Sequence, residues 1–498
     1  MRKCIKSPKS LHTGDDMYKF ASKQISFEDF NQPLGLKMNP ENRWIKKAEL
    51  VPWDEIEKEY AKLFQGYNGQ VAKSLRMALG ALLIQTEYGY SDEEIVEQIR
   101  EAPYLQFFCG LPGYEDKRPF DPSDMVRFRK RLTPEILEKI NEMIIERKEE
   151  GEKKPNHPNQ REQEEELPKN QGTMIVDATC APSQIKYPQD TELLNEAREK
   201  LEKMVDEMHD PQEGKKPRMY QRKARKQYLS VARSKRNSAR KIRNAIRQQL
   251  QYIRRDLRYV HDMLASGKEL SKRQSHQLET IETLYEQQKY MYEKRVHSVK
   301  DRIVNLRQEY LRPIVRGKAK TPVEFGAKLD ISVVNGLVHL EKQTFDAYNE
   351  GELLEEEIEN YRQRYGYYPE RVLADKIYRN RKNLKYCKER GIRLSGPALG
   401  RPAKDAVANK EEKAEEYEDI CDRVEVERAF SLAKRKFSLS QIRTYLKETT
   451  QSVIALSILA LNLNKVWRQQ IFQLLWNLFY KCNDAQNMCP IDELVFVQ

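Results

Sequence analysis

The chain is 498 residues long, enough for roughly two to four domains and at least one substantial core. Charged residues make up 33% of it and the mean hydropathy is -0.85, so much of the length belongs to solvated helix or linker. A net charge of +12 favours a polyanionic partner over an acidic small molecule, and seven scattered cysteines with no C-x-x-C pair argue against a disulfide framework or a zinc site.

The charged start MRKCIKSPKS has no apolar run and argues against secretion. Residues 1–40 lack periodicity and read as a loose tail. From 41 to 148 the pattern is helical, with a capping box expected at Ser91 and Glu94 and a cap before an N1 proline at Thr133-Pro134. Within it, DPSDMVRFRKRL spaces Met125, Phe128 and Leu132 as a core stripe, leaving Arg127, Lys130 and Arg131 to reach DNA, or else to form an ordinary solvated face. Residues 149–171 are polar linker, and MIV at 174–176 then reads as a short buried strand ending on Asp177.

Residues 189–320 read as a basic helical insertion. Between Lys215 and Arg255 there are 16 Lys or Arg and no Asp or Glu, a block suited to phosphate contact through residues such as Arg222, Lys223, Arg225 and Lys226. Two apolar stripes, Ile242 to Leu264 and Leu278 to Tyr310, predict an antiparallel helical hairpin, with Gln288 the one polar member of the second. Alternation resumes at Phe325, and Asn335-Gly336 predicts a hairpin returning through LVHLEK. A helix near 352–365, the strand RVLAD, a helix near 380–390, the strand GIRLSG, a polar loop and a long helix from about 418 follow. Without the insertion this is a mixed α/β domain of five strands over 172–188 plus 321–440. The apolar run SVIALSILALNLNKVW is interrupted by Asn462, Asn464 and Lys465, so it reads as a core helix of the C-terminal segment 441–498 and the protein as soluble and cytoplasmic.

RVLADKIYRN repeats the motif of MIVDATC, because Asp375 ends its strand as Asp177 does. A third carboxylate is expected in DRVEVERAFSLAKRKFSL. At about 100° per residue, Arg423, Glu427 and Lys434 fall in the middle of the apolar stripe, with Val426, Ala433 and Phe437 close beside them, so Glu427 is expected to face inward while Glu425 falls away from that stripe. Either these charges form a structural ion-pair ladder, or Glu427 joins the two aspartates in a two-metal phosphoryl-transfer site. Asp330, the main competing acid, lies on the Lys328-bearing face of its strand and is expected to be solvated. No G-x-x-x-x-G-K-[ST] or G-x-G-x-x-G loop points to a nucleotide, and the seven histidines form no zinc cluster.

These residues make the chain resemble the DDE transposases of bacterial insertion sequences, in the group typified by insertion sequences four and five. The resemblance spans SLRMALGALLIQTEYGYSDEEIVEQI, PFDPSDMVRFRKRL, VDATCAPSQIKYPQD, RGKAKTPVEFGAKL, VLADKIYRNRKN and RVEVERAFSLAKRKFSL. The group's signature, Tyr, Arg, Glu and Lys spaced Y-(2)-R-(3)-E-(6)-K, is matched by Arg423, Glu427 and Lys434, with Ile420 where the tyrosine would stand. It implies an RNase-H-like catalytic domain, an all-α N-terminal DNA-binding domain, and Asp177, Asp375 and Glu427 as catalytic ligands of two Mg²⁺ or Mn²⁺ ions. Arg423 and Lys434 would lie beside the DNA backbone. It further implies cleavage at terminal inverted repeats, joining of the 3′-hydroxyl to target DNA, and a homodimer or larger assembly on double-stranded DNA. A catalytically silent relative and a helical nucleic-acid scaffold are the alternatives.

Overall fold

Trp44, Ile45 and Ala48, spaced as one helical face, turn α1 (Arg43–Leu50) toward the core, and α2 (Trp53–Ala61) does the same with Trp53, Ile56 and Tyr60. The protein is described by a computed structural model over residues 30–31, 37–64, 71–152, 169–315, 323–396 and 406–485. Most of the expected tail and linker, the polar loop around 397–405 and the last residues of the C-terminal segment lie outside this range. α3 (Leu75–Tyr88) is buried on nearly every side and stops at Gly89, whose φ of 73° is the left-handed cap a side chain would resist. α4 (Asp92–Glu101) opens on Ser91 with both bonds of the expected capping box. α5 (Pro103–Phe108), α6 (Asp124–Arg131) and α7 (Pro134–Glu152) complete this region.

Among the described residues the sheet has six strands, one more than the sequence predicts. β1 (Thr173–Pro182) pairs antiparallel with β3 (Val323–Val334) along its length and parallel with β5 (Arg371–Leu373) over its first three residues. β4 (Leu337–Thr344) and the additional β2 (Arg312–Val315) both pair antiparallel with β3, and β6 (Arg393–Leu394) pairs parallel with β5. β2 lies in the stretch expected to be insertion; its Arg312-Pro313 start carries no alternation to betray it. Val334 faces Leu337 across the expected Asn335-Gly336 turn, where both central residues have positive φ.

The two faces of the sheet feed different cores. Met174, Val176 and Val372 pack toward α12 (Leu354–Tyr365) and α13 (Arg381–Glu389). Ile175, Leu373 and Ile331 pack toward α14 (Ala406–Lys436) and α15 (Lys447–Ala485). α15 also lies against α7, α3, α1 and α6, so the N-terminal helices and the sheet share one continuous core. Asn462, which interrupts the apolar run, is fully buried as a clamp: it donates to Asn141 of α7 and to the Val338 carbonyl of β4, and accepts from the Val338 N–H. Among the described residues no helix is long and apolar enough to cross a membrane.

The insertion between β1 and β2 holds α8 (Asp190–Met208), α9 (Gln221–Ala232), α10 (Ala239–Ala265) and α11 (Lys272–Lys294) around a core of its own. The expected two-stripe pairing needs correction on two points. α10 lies mainly against α8 rather than α11, and α11 ends at Lys294, so Ile303 and Leu306 reach the core from irregular chain. Gln288 is polar within its stripe because its amide donates to Asp190 in the first turn of α8, 2.8 Å away.

Candidate active site

β1 does not end at Asp177, as the sequence suggests, but continues because β3 pairs with it as far as Pro182. What ends is the neighbour. β5 stops at Leu373, opposite Ile175, so Asp177 and Asp375 lie two residues beyond the last paired positions of adjacent parallel strands. Period-two alternation aims Asp177 to the face of Ile175, which α14 covers. There burial raises the carboxyl above its usual range, opposed by the Ala178 N–H at 2.8 Å and by Arg423, and reinforced by Glu350 and Asp375. Asp375 is more exposed, caps the 3-10 turn Lys376–Tyr378, and has Arg423 Nη1 3.6 Å from its Oδ1.

α14 is held to the sheet one turn earlier. Buried Asp419 accepts from Arg371 of β5 at 3.3 Å and from Arg393 of β6 at 2.6 and 2.9 Å, which delivers Arg423 to Asp375. Farther along, Lys434 Nζ donates to Thr179 Oγ1 at 2.9 Å. Sequence reasoning missed Thr179, although its place two residues after Asp177 puts it on the same strand face.

The helix register differs from the expected one. Val426, Ala429, Ala433 and Phe437 form the buried stripe, and the charged residues flank it. Glu427 is exposed, on the flank shared by Arg423 and Lys434. Glu425 is half-buried on the opposite flank, where its Oε1 approaches Gly336 at the β3–β4 turn and its charge acts on Lys465. The small residues Ala429 and Ala433 let α14 approach the sheet along a line that hydrophobicity alone does not locate. Asp330 likewise departs from expectation: it is fully buried, accepts from the hydroxyls of Tyr348 and Tyr378, and burial pushes it up to about 6.

The structure therefore brings together Asp177, Asp375 and Arg423, with Lys434 on the adjoining Thr179. Among the described residues no three acidic, histidine or cysteine side chains converge closely enough to hold a metal ion, so Asp177, Asp375 and Glu427 do not form a closed ligand set. The donor types nevertheless suit a hard divalent cation, since half-buried Asp177 feels the charges of Asp375 and of Arg423, which pairs with Asp375.

Of the expected DNA contacts, Arg127 and Lys130 are exposed on α6, Arg127 bonding Asp124 at 2.8 Å. Arg131 is half-buried with its guanidinium 4.8 Å from the Phe64 ring centroid, so the outward placement expected for it needs correction. Arg222, Lys223, Arg225 and Lys226 are all exposed on α9, around buried Ala224.

Comparison with known proteins finds two family matches. Residues 372–464 match the family described as transposase DDE domain, and residues 34–131 match one described as transposase domain. The first match spans Asp375, Arg423, Glu427 and Lys434; the second spans α1–α6. The chain is also 29% identical over 173 residues to an uncharacterized protein, ORF8 in the nfe locus of Rhizobium meliloti, covering 34% of this chain and 77% of that protein. No solved structure matches the chain.

Proposed function

We propose, for a chain that is a DDE transposase of insertion sequences by both family matches, that it binds the terminal inverted repeats of its own element, cuts there and joins the 3′-hydroxyl ends to target DNA. The observation that carries this reading is the meeting of Asp177 and Asp375 at equivalent positions of two parallel strands, with Arg423 beside them. The strand arrangement, β1 antiparallel to β3 and parallel to β5, supports the RNase-H-like architecture the resemblance implies.

Glu427 is the third carboxylate of this reading. It lies about 6 Å along the helix axis from Arg423, anchored at Asp375, and about 10 Å from Lys434, anchored at Thr179. It occupies the open flank of α14, from which a rotamer change or a bound DNA strand would bring it toward the aspartates. Asp177, Asp375 and Glu427 would hold Mg²⁺ or Mn²⁺, two ions in sites of this class, supplying activation of the attacking oxygen and stabilisation of the leaving one. Arg423 and Lys434 contact the phosphates on either side of the scissile bond and hold the backbone for in-line attack, first by water and then by a DNA 3′-hydroxyl. No side chain forms a bond to phosphorus. α6 reads the element's ends through Arg127 and Lys130, the 215–255 block holds the backbone, and two ends require at least a dimer. The place of action is the bacterial nucleoid in the cytoplasm.

The test pairs two assays on one preparation. With Mg²⁺, Asp177→Asn and Asp375→Asn should each lower strand nicking by orders of magnitude while gel-shift affinity stays within a few-fold of wild type. Nicking at the wild-type rate in either variant excludes that residue from the site, and nicking absent even from wild type favours a silent relative.

A further inference from the structure

Asp375 lies past the last paired residue of β5 and is largely exposed, so the ladder does not hold it. Ser395 bonds the N–H and the carbonyl of Ala374 just before it, and the short turn Asp375 begins holds it from the other side. Asp375 caps that turn, accepting from the Lys376 N–H at 2.7 Å, and its carbonyl accepts from the Tyr378 N–H at 3.0 Å. Tyr378, at the turn's other end, passes to the opposite side of the sheet, where it is fully buried and donates to Asp330 Oδ1 at 2.7 Å. A carboxyl on a central strand with no solvent is costly, and aliphatic residues would fill the place at less cost.

We propose that Asp330 is a positioning residue that braces Asp375 through the phenol of Tyr378. This rests on the assignment of Asp375 as a metal-binding carboxylate. The brace is built from both ends. Asn383 donates to the Tyr378 carbonyl and the Gly351 carbonyl, each at 2.7 Å, and so ties the same turn to the loop after β4. Gly351 has no side chain because a Cβ would run into the Ile377 carbonyl within that turn. The other oxygen of Asp330 takes the hydroxyl of Tyr348, from the same loop after β4, and that ring is covered by the Lys328 ammonium 4.3 Å from its centroid. Two phenols therefore share one carboxylate, but only Tyr378 leads directly to Asp375.

That asymmetry supplies the experiment. Mn²⁺ binding to the full chain is measured by calorimetry without DNA, beside the heat-unfolding midpoint without metal, for wild type, Tyr378→Phe, Tyr348→Phe and Asp375→Asn. Tyr378→Phe should weaken Mn²⁺ binding about tenfold, the lower end of losses when outer partners of metal ligands are removed. It should also raise the Mn²⁺ concentration needed for nicking, with the rate recovering at high Mn²⁺. Tyr348→Phe should bind within about twofold of wild type whatever its midpoint. Wild-type binding in Tyr378→Phe, with binding lost in Asp375→Asn, overturns the brace and leaves the ligand assignment standing, whereas equal weakening by both phenylalanines also overturns it, since the effect would then follow stability. Wild-type binding in Asp375→Asn overturns the ligand assignment itself.

Discussion

Glu425 and Glu427 stand two residues apart on α14, on opposite sides of the stripe that seals the helix to the sheet. Glu427→Gln retains volume and one acceptor oxygen but loses the charge, so turnover with Mn²⁺ should fall by orders of magnitude while the unfolding midpoint stays within a degree or two, as for most exposed substitutions. Glu425→Gln should keep turnover within a few-fold and instead lower the midpoint, because the half-buried Lys465 ammonium loses a neighbouring negative charge. The opposite ranking of rates would break the site assignment. Residue type and spacing single out Asp177 and Asp375, although the strand end expected at Asp177 is not there, since β1 runs on to Pro182. The sequence is not legible where a side chain's value depends on what crosses over it. Asp330 looks solvated because Lys328 shares its strand face, and nothing local shows that Tyr378, 48 residues on, covers it.

Among the elements, α9 divides most clearly into a buried side and an outward basic one. Ala224 and Val231 are buried, while Arg222, Lys223, Arg225 and Lys226 are exposed. Replacing these four with glutamine should weaken binding to all DNA sequences alike and reduce the slope of log affinity against log salt by up to about 0.9 for each phosphate that is no longer neutralised. An unchanged slope would remove α9 from the interface. The inner side of the insertion makes a separate prediction. Asp256 of α10 is fully buried beside Arg255, and burial pushes its carboxyl up to about 7, against about 3.9 when unfolded. The folded state therefore holds this proton more tightly, so the stability Asp256 contributes is full below about pH 4 and is lost as pH rises through 7. Unfolding titrations of Asp256→Asn should show a shallower fall between pH 4 and 7 than wild type; the same slope in both would place that proton elsewhere. The apolar stripes of α10 and α11 are legible at 3.6-residue spacing, but the principal partner of α10, α8, is not, since the stripe records only that a face is buried.

Across the whole molecule, the N-terminal helices and the sheet meet through α15, whose buried run touches α7, α3 and β4. Cutting the chain after residue 148 would expose that seam, so end recognition belongs in an experiment on the full chain. The hairpin at Asn335-Gly336, the helix caps and the order of strands and helices can be read locally from turn chemistry and periodicity. The continuity of the two regions cannot, because it depends on α15 closing over both, with Asn462 reaching Asn141, 321 residues back in the chain. That closure places α14 and α15 on the face where Asp177 opens, with α6 on the same body. Strand transfer by the full chain is the decisive measurement: DNA from the flanks of its gene, ending in a 3′-hydroxyl, is incubated with supercoiled plasmid and Mn²⁺. A two-metal transposase joins that end covalently to the plasmid, and chelation or Asp177→Asn abolishes the joining with DNA binding retained; joining that survives either treatment, or binding without any joining under any divalent ion, would rule that mechanism out.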